Sequence, residues 1–158
     1  MKVLGIDPGT TRIGYGLVEK NKSLNLLDYG LISGQGMSSG ERLIHLEKEL
    51  GAVIKRTRPD LVCVEKLFFT KNKKTALSVS EARGVIMLTV GRMGIEAMEL
   101  TPNEIKSIVV GDGGATKDQV QKVACVTLGV DSISGPDDVS DAVAIALAGL
   151  FQKSFGTS

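Results

Sequence analysis

The sequence predicts an α/β fold with a mixed central sheet of five strands, three antiparallel and then two parallel, flanked by helices. Three strand-like segments come first and are joined by short turns, and the rest of the chain alternates between helical and strand-like patterns. The 158 residues are 42% apolar and 23% charged, which is the size and composition of one globular domain, residues 1–158.

The first three strands are predicted at Lys2–Asp7, Arg12–Glu19 and Leu24–Ser33. The segments between them, Pro8-Gly9-Thr10 and Asn21-Lys22-Ser23, are composed of residues that favour turns. Because both connections are short, the three strands are expected to form an antiparallel meander.

A helix and a buried strand follow the meander. Ser38 and Glu41 form a capping-box pattern, and apolar residues then recur at helical spacing until Pro59. The next segment, Leu61–Glu65, is almost wholly apolar, which is typical of a strand that is buried on both faces.

The second half of the chain continues the alternation of helix and strand. Thr101-Pro102 with Glu104, and Thr116 with Gln119, are start signals for helices. The predicted elements are a helix from about Thr75 to Arg92, a strand at Ile95–Leu100, helices starting at Thr101 and Thr116, and a last helix from near Pro136 to Phe151.

The helix from about Thr75 to Arg92 is apolar around most of its circumference. Small residues at Ala76, Ser80 and Gly84 form a line along it, where a second helix could approach. One sheet buries only one stripe of a helix, so this pattern predicts a homodimer in which two copies of the helix meet.

Composition excludes several classes of protein. Nineteen basic and eighteen acidic residues give a net charge of +1, so the chain does not coat nucleic acid through bulk charge. Two cysteines and one histidine cannot form a Cys/His zinc site. The longest uncharged apolar run, Ala142–Phe151, is too short to cross a bilayer, and no signal peptide is evident. The protein is therefore expected to be cytoplasmic, with no membrane partner.

Acidic residues stand at the ends of two strongly apolar strands. Asp7 ends the first strand and Glu65 ends the strand that follows the first helix. If these strands are parallel neighbours, both carboxylates emerge side by side at the carboxyl edge of the sheet. Asp138 and Asp141, three residues apart, share one face of the last helix.

Four converging carboxylates repel one another unless divalent cations neutralise them. Two-metal hydrolysis of a phosphodiester bond requires such a cluster. An aspartate in the first turn of a helix often has only a capping role, in which it bonds free N–H groups. We accept this role for Asp137. For Asp138 alone, the capping role and a functional role explain the residue about equally well. The capping role does not account for all four carboxylates together.

Several motifs together resemble the RuvC family of bacterial Holliday junction resolvases over almost the whole chain. No single motif is decisive, but their order and spacing are specific. They are Gly5-Ile6-Asp7-Pro8-Gly9, Gly14-Tyr15-Gly16, Val64-Glu65 with an aromatic residue soon after, Ala82-Arg83-Gly84, Lys106-Ser107-Ile108-Val109-Val110-Gly111 and Asp138-x-x-Asp141-Ala142.

This resemblance implies a ribonuclease-H-like fold, a homodimer, and paired symmetric nicking of four-way junction DNA in recombination and DNA repair. It implies two Mg²⁺ ions per active site, with Mn²⁺ as a substitute, held by Asp7, Glu65, Asp138 and Asp141 as catalytic and metal-binding residues. Whether a branch-migration helicase complex is a further partner is left open.

DNA-binding residues are expected in two places. Phe68 matches the aromatic residue near the junction in the family, and Lys106 and Lys117 match basic residues that face DNA. The stretch after Glu65 is also rich in lysine and free of acids, so it predicts contacts to the DNA backbone by Lys71, Lys73 and Lys74. Either Phe68 or Phe69 would stack on an unpaired base.

Three other interpretations stay open. The motif from Gly5 to Thr11 also resembles the phosphate loop of actin-like and Hsp70-like ATPases, although those enzymes bind ATP between two domains and this length supplies one. An RNA-processing nuclease of the same superfamily would have the same metal site. A junction-binding protein without catalysis is the third, and it would have no reason to keep four repelling carboxylates.

Overall fold

Five strands form one mixed sheet in the computed structural model, which describes residues 1–66 and 73–155 apart from the side chains of Lys73, Lys74 and Phe155. The strand order is β3-β2-β1-β4-β5. The β3–β2 and β2–β1 pairs are antiparallel, and the β1–β4 and β4–β5 pairs are parallel, as predicted. The strands are β1 (Lys2–Asp7), β2 (Arg12–Lys20), β3 (Leu24–Ser33), β4 (Leu61–Glu65) and β5 (Glu96–Leu100).

The helices begin where the capping patterns predict. Ser38, Thr101 and Thr116 each accept a hydrogen bond from a backbone N–H in the first turn of their helix, and all three capping boxes are formed. The helices are α1 (Ser39–Thr57), α2 (Lys73–Arg92), α3 (Pro102–Val110), α4 (Lys117–Leu128) and α5 (Asp137–Phe155).

The last helix is longer than its apolar pattern indicates. The prediction ended it at Phe151, whereas α5 continues to Phe155. Residues Gln152 to Ser154 are polar, so they do not continue the apolar pattern. The last turn is held instead by Lys153, whose Nζ lies 2.6 Å from Glu96 Oε1 at the start of β5.

The two faces of the sheet carry different helices. Side chains alternate along a strand, so that Leu4 and Ile6 of β1 pack with α1 and α2, whereas Val3 packs in the core on the side of α3, α4 and α5. Helix α1 therefore lies on the face opposite to α5. Both cysteines, Cys63 and Cys125, are free and buried, as expected from their apolar surroundings.

Helix α5 packs very closely on β1 and β2. A Cβ atom at Gly5 would lie 2.1 Å from the carbonyl oxygen of Ala142, and one at Gly14 would lie 1.8 Å from that of Asp138. No residue with a side chain fits at these two positions without moving the helix backbone. This packing fixes the first turns of α5 against the strand ends that carry the acidic residues.

In the part of the chain that the structure describes, every helix falls short of the length and apolarity needed to cross a membrane.

Candidate active site

The β1–β4 pair places Asp7 beside Glu65. Gly5 lies opposite Cys63 in this parallel pair, so the residues two positions further on are also neighbours. Gly5 and Cys63 both face α5. Because side chains alternate along a strand, Asp7 and Glu65 emerge on that same face, at the carboxyl ends of both strands.

Helix α5 brings the other two carboxylates, Asp138 and Asp141, to this edge. Together with burial, their charges raise the pKa values of the strand carboxyl groups. The pKa of Asp7 is raised to about 8, first by burial and then by the charges of Glu65, Asp141 and Asp138. Burial followed by the charge of Asp141 also raises the pKa of Glu65. All four predicted carboxylates are thus close enough to interact.

Three of the four carboxylates line an open cleft of about 340 Å³. Asp7, Glu65 and Asp141 share it with Lys106 of α3 and Lys117 of α4, and the charge of Lys117 lowers the pKa of both Asp7 and Glu65. The remaining walls are mostly apolar and consist of Pro102, Ile105, Val120, Ala144 and Ile145. Asp138 does not line the cleft, because the start of α5 turns it toward β2.

Each α5 carboxylate is approached by one cationic side chain. Lys117 Nζ donates a hydrogen bond of 2.6 Å to Asp141 Oδ2. Arg12 Nη2 lies 3.1 Å from Asp138 Oδ2, but this oxygen is buried and accepts no hydrogen bond from the described residues. The Arg12 contact is therefore an ion pair without hydrogen-bond geometry.

Arg12 was not among the residues predicted from the sequence. Its place could have been inferred from strand alternation, since Arg12 and Gly14 of β2 share a face and Gly14 lies under the first turn of α5. The missing information was that α5 lies on this particular strand.

The donor set fits a hard divalent cation. Carboxylate oxygens are the ligands that Mg²⁺ prefers, and the buried Asp138 Oδ2 accepts no hydrogen bond from the described residues. Within residues 1–66 and 73–155, however, no three Asp, Glu, His or Cys side chains converge closely enough to form a metal cluster. Lys117 and Arg12 instead neutralise the two carboxylates of α5.

The predicted DNA-binding residues are only partly described. Lys106 and Lys117 line the cleft beside the carboxylates. Phe68 and Lys71 lie outside the described residues. Lys73 and Lys74 begin α2, but their side chains also fall outside the description.

Comparisons with known proteins agree with this fold. The family model for "Crossover junction endodeoxyribonuclease RuvC" matches residues 3–149. The protein of that name from Chloroflexus aurantiacus is 48% identical over 149 residues, which cover 93% of this chain and 91% of the relative. The structure of RuvC from Thermus thermophilus superimposes with a TM-score of 0.90 at 30% identity, covering 99% of this chain and 98% of the other.

The structure of T. thermophilus RuvC in complex with Holliday junction substrate also superimposes with a TM-score of 0.90, at 28% identity and with the same coverage. Sequence, fold and the arrangement of the acidic residues therefore lead to one assignment. The chain belongs to the RuvC family of crossover junction endodeoxyribonucleases.

Proposed function

We propose that residues 1–158 form a single nuclease domain that resolves four-way DNA junctions by paired symmetric nicks, in recombination and DNA repair. The observation that carries the proposal is the group of four carboxylates at the carboxyl ends of β1 and β4, beside a cleft with two lysines. It is supported by membership of the RuvC family and by the structural likeness to T. thermophilus RuvC in complex with Holliday junction substrate.

Asp7, Glu65, Asp138 and Asp141 would hold two Mg²⁺ ions, for which Mn²⁺ can substitute. When bound, such ions activate a water molecule and stabilise the attacking and leaving oxygens of phosphodiester hydrolysis. The raised pKa of Asp7 supports this assignment, because a buried carboxylate surrounded by three others gains most from a cation that neutralises it.

The residues around the carboxylates orient and neutralise the substrate. Lys106 and Lys117 offset part of the negative charge, so that a DNA phosphate can approach four acidic groups. Lys71, Lys73 and Lys74 would extend this positive surface along the backbone. Phe68 would stack on a base that is unpaired at the crossover.

A homodimer formed through α2 would pair two such sites. Of the three small residues, Ser80 and Gly84 are exposed and Ala76 is half-buried. Leu77 and Leu88 extend this outer side, with 65% and 51% of their surface exposed. A two-fold dimer would present two sites to opposite strands of a two-fold symmetric junction, which accounts for paired nicks.

Sedimentation at micromolar concentration tests the dimer. The native chain should sediment as a dimer, and Leu88→Glu should shift it to a monomer because a charge would be buried in the interface. Val126→Glu is the matched control, since Val126 is an exposed apolar residue on α4. A native protein that is monomeric under these conditions would contradict the dimer.

The activity is tested with Mg²⁺ and three labelled substrates: a four-way junction, a linear DNA duplex and an RNA–DNA hybrid. The proposal expects paired cuts in the junction and little cleavage of the other two. Preferential cleavage of the hybrid would favour an RNA-processing nuclease, and binding of the junction without cleavage would favour a non-catalytic protein. Saturable micromolar ATP binding in calorimetry would favour the ATPase interpretation.

The family also sets expectations for the cellular context. The proposed substrate is chromosomal DNA during recombination, so a cytoplasmic location fits the activity. A branch-migration helicase complex is a candidate partner, and a pull-down with junction DNA and the purified helicase components would test it.

A further inference from the structure

Arg12 faces the acidic group but has no place in the proposed catalytic or DNA-binding set. It is the first residue of β2 and shares its sheet face with Gly14. The carbonyl oxygen of Asp138 lies 1.8 Å from where a Cβ of Gly14 would be, so the first turn of α5 rests on this part of β2. Position 12 therefore lies at the beginning of α5, within reach of Asp138.

The contact between Arg12 and Asp138 uses none of the hydrogen-bond donors of the guanidinium. One nitrogen, Nη2, lies 3.1 Å from Asp138 Oδ2 and makes no hydrogen bond to it. A guanidinium has five N–H donors in a planar fork, which binds a carboxylate or a phosphate through two parallel hydrogen bonds. The Arg12 side chain is 53% exposed, so a ligand can reach the guanidinium once Asp138 no longer attracts it.

A divalent cation at Asp138 would change the electrostatic balance at Arg12. The carboxylate that attracts the guanidinium would be neutralised, and the ion itself would repel it. Arginine keeps its positive charge at every accessible pH, so it then requires another anion. In a nuclease site that anion is a phosphate of the DNA backbone.

We propose that Arg12 binds a DNA phosphate in the nuclease site only after a divalent cation has bound to Asp138. Until the cation binds, Arg12 stays in its ion pair with Asp138. The inference rests on the proposed function and adds a substrate contact and an order of events to it. The cation binds first, Arg12 is released, and the phosphate is then held next to the carboxylates.

The salt dependence of junction binding tests this order. Affinity is measured against salt concentration in EDTA and in Ca²⁺, a hard cation of the same charge as Mg²⁺, with the DNA checked by electrophoresis to be intact. In Ca²⁺, Arg12→Gln should make the slope of log affinity against log salt shallower by about 0.9, the value for one phosphate contact on duplex DNA. In EDTA its slope should equal that of the native protein.

Two further variants isolate the role of the guanidinium. Arg12→Lys keeps the positive charge, so in Ca²⁺ its slope of log affinity against log salt should equal that of the native protein. Its junction binding should be weaker than that of the native protein, because lysine lacks the planar fork of N–H donors. Arg56→Gln is the matched control, since Arg56 lies on α1, on the opposite face of the sheet, and is similarly exposed, at 56%. Its Nη2 atom lies 2.6 Å from Oδ2 of Asp28 in β3. Arg56→Gln should behave like the native protein in both conditions.

Calorimetry of Mg²⁺ binding without DNA gives an independent result. Arg12→Gln should bind Mg²⁺ at least as tightly as the native protein, because a competitor for Asp138 is absent. Weaker Mg²⁺ binding would overturn the inference, as would an Arg12→Gln slope that matches the native slope in both conditions or is shallower in both. A native protein that fails to cut junctions would instead contradict the proposed function.

Discussion

The strand carboxylates, Asp7 and Glu65, and the helix carboxylates, Asp138 and Asp141, differ in how their negative charge is compensated. Among the described residues, no lysine or arginine forms an ion pair with Asp7 or Glu65, whereas Asp138 and Asp141 have one cationic neighbour each. Parallel pairing holds the strand residues together in a buried position. The helix residues lie at the rim, where side chains from β2 and α4 reach them.

This difference indicates which half of the site depends most on an added cation. Burial is the largest cause of the raised pKa of Asp7, and repulsion from the other three carboxylates adds to it. Without a metal ion the protein neutralises the helix pair with its own cations, whereas the pKa values of both strand carboxyl groups are raised. The following predictions test that contrast, from the largest expected effect to the smallest.

The largest effect is expected from Asp7→Asn. Loss of a metal-binding carboxylate should remove several kcal/mol of transition-state stabilisation, so junction cleavage should fall by about 10³-fold or more. The unfolding free energy should be unchanged or higher, because asparagine removes the cost of either protonating the carboxylate or burying its charge on folding. Single-turnover cleavage and thermal unfolding measure the two effects.

Asp137→Asn is the matched control for this variant. Asp137 is exposed in the first turn of α5, one residue before Asp138, and asparagine caps a helix about as well as aspartate. Its cleavage rate should stay close to native. If Asp7→Asn cuts junctions at a near-native rate, Asp7 is not a catalytic residue.

The second prediction concerns the pH dependence of stability in the metal-free protein. The pKa of Asp7 is 3.8 in the unfolded chain and about 8 in the folded chain, so between these values the folded protein holds a proton that the unfolded chain releases. The unfolding free energy should therefore fall as pH rises from about 4 to about 8, by up to about 1.4 kcal/mol per pH unit from this group.

Denaturant unfolding in EDTA across this pH range measures the effect. Asp7→Asn should give a flatter curve than the native protein, and Mg²⁺ should flatten the native curve because it favours the ionised carboxylate. Parallel curves for the native and variant proteins would show that Asp7 is ionised at low pH and that the contrast between the two pairs is overstated.

The third prediction extends the contrast to the lysine-rich stretch after Glu65. Replacing Lys71, Lys73 and Lys74 together by glutamine should flatten the salt slope of junction affinity by about 0.9 for each DNA phosphate that is no longer bound.

Phe68→Ala should leave this slope unchanged. It should weaken the free energy of junction binding by about 1–3 kcal/mol, the stacking energy of one base. Filter binding over a salt series measures both, and an unchanged slope in the triple variant would make these lysines ordinary surface residues.

The smallest effect is expected from Lys117→Gln on stability. The Lys117 side chain is 69% exposed, so its ion pair with Asp141 should contribute at most about 1 kcal/mol to the unfolding free energy. Since the charge of Lys117 lowers the pKa of Asp7, its removal should raise that pKa further and shift the rising limb of the cleavage–pH profile upward. A larger loss of stability without a shift in the profile would make Lys117 a structural residue.

The sequence by itself determined the elements and the residues that carry the proposed chemistry. Apolar segments separated by turn-forming residues predicted the strands, the capping boxes at Ser38, Thr101 and Thr116 predicted three helix starts, and acids at the ends of apolar strands indicated Asp7 and Glu65. These signals are local, because a hydrogen-bonding cap, a turn or a short apolar segment depends on residues a few positions apart.

Only the tertiary structure decided which carboxylates are neutralised and by which residues. The packing of α5 against Gly14 determined that Asp138 turns toward β2 and Arg12. The pairing of Lys117 with Asp141 likewise requires that α4 begin beside α5. Both ion pairs join segments more than twenty residues apart in sequence, so their geometry depends on packing that no local pattern encodes.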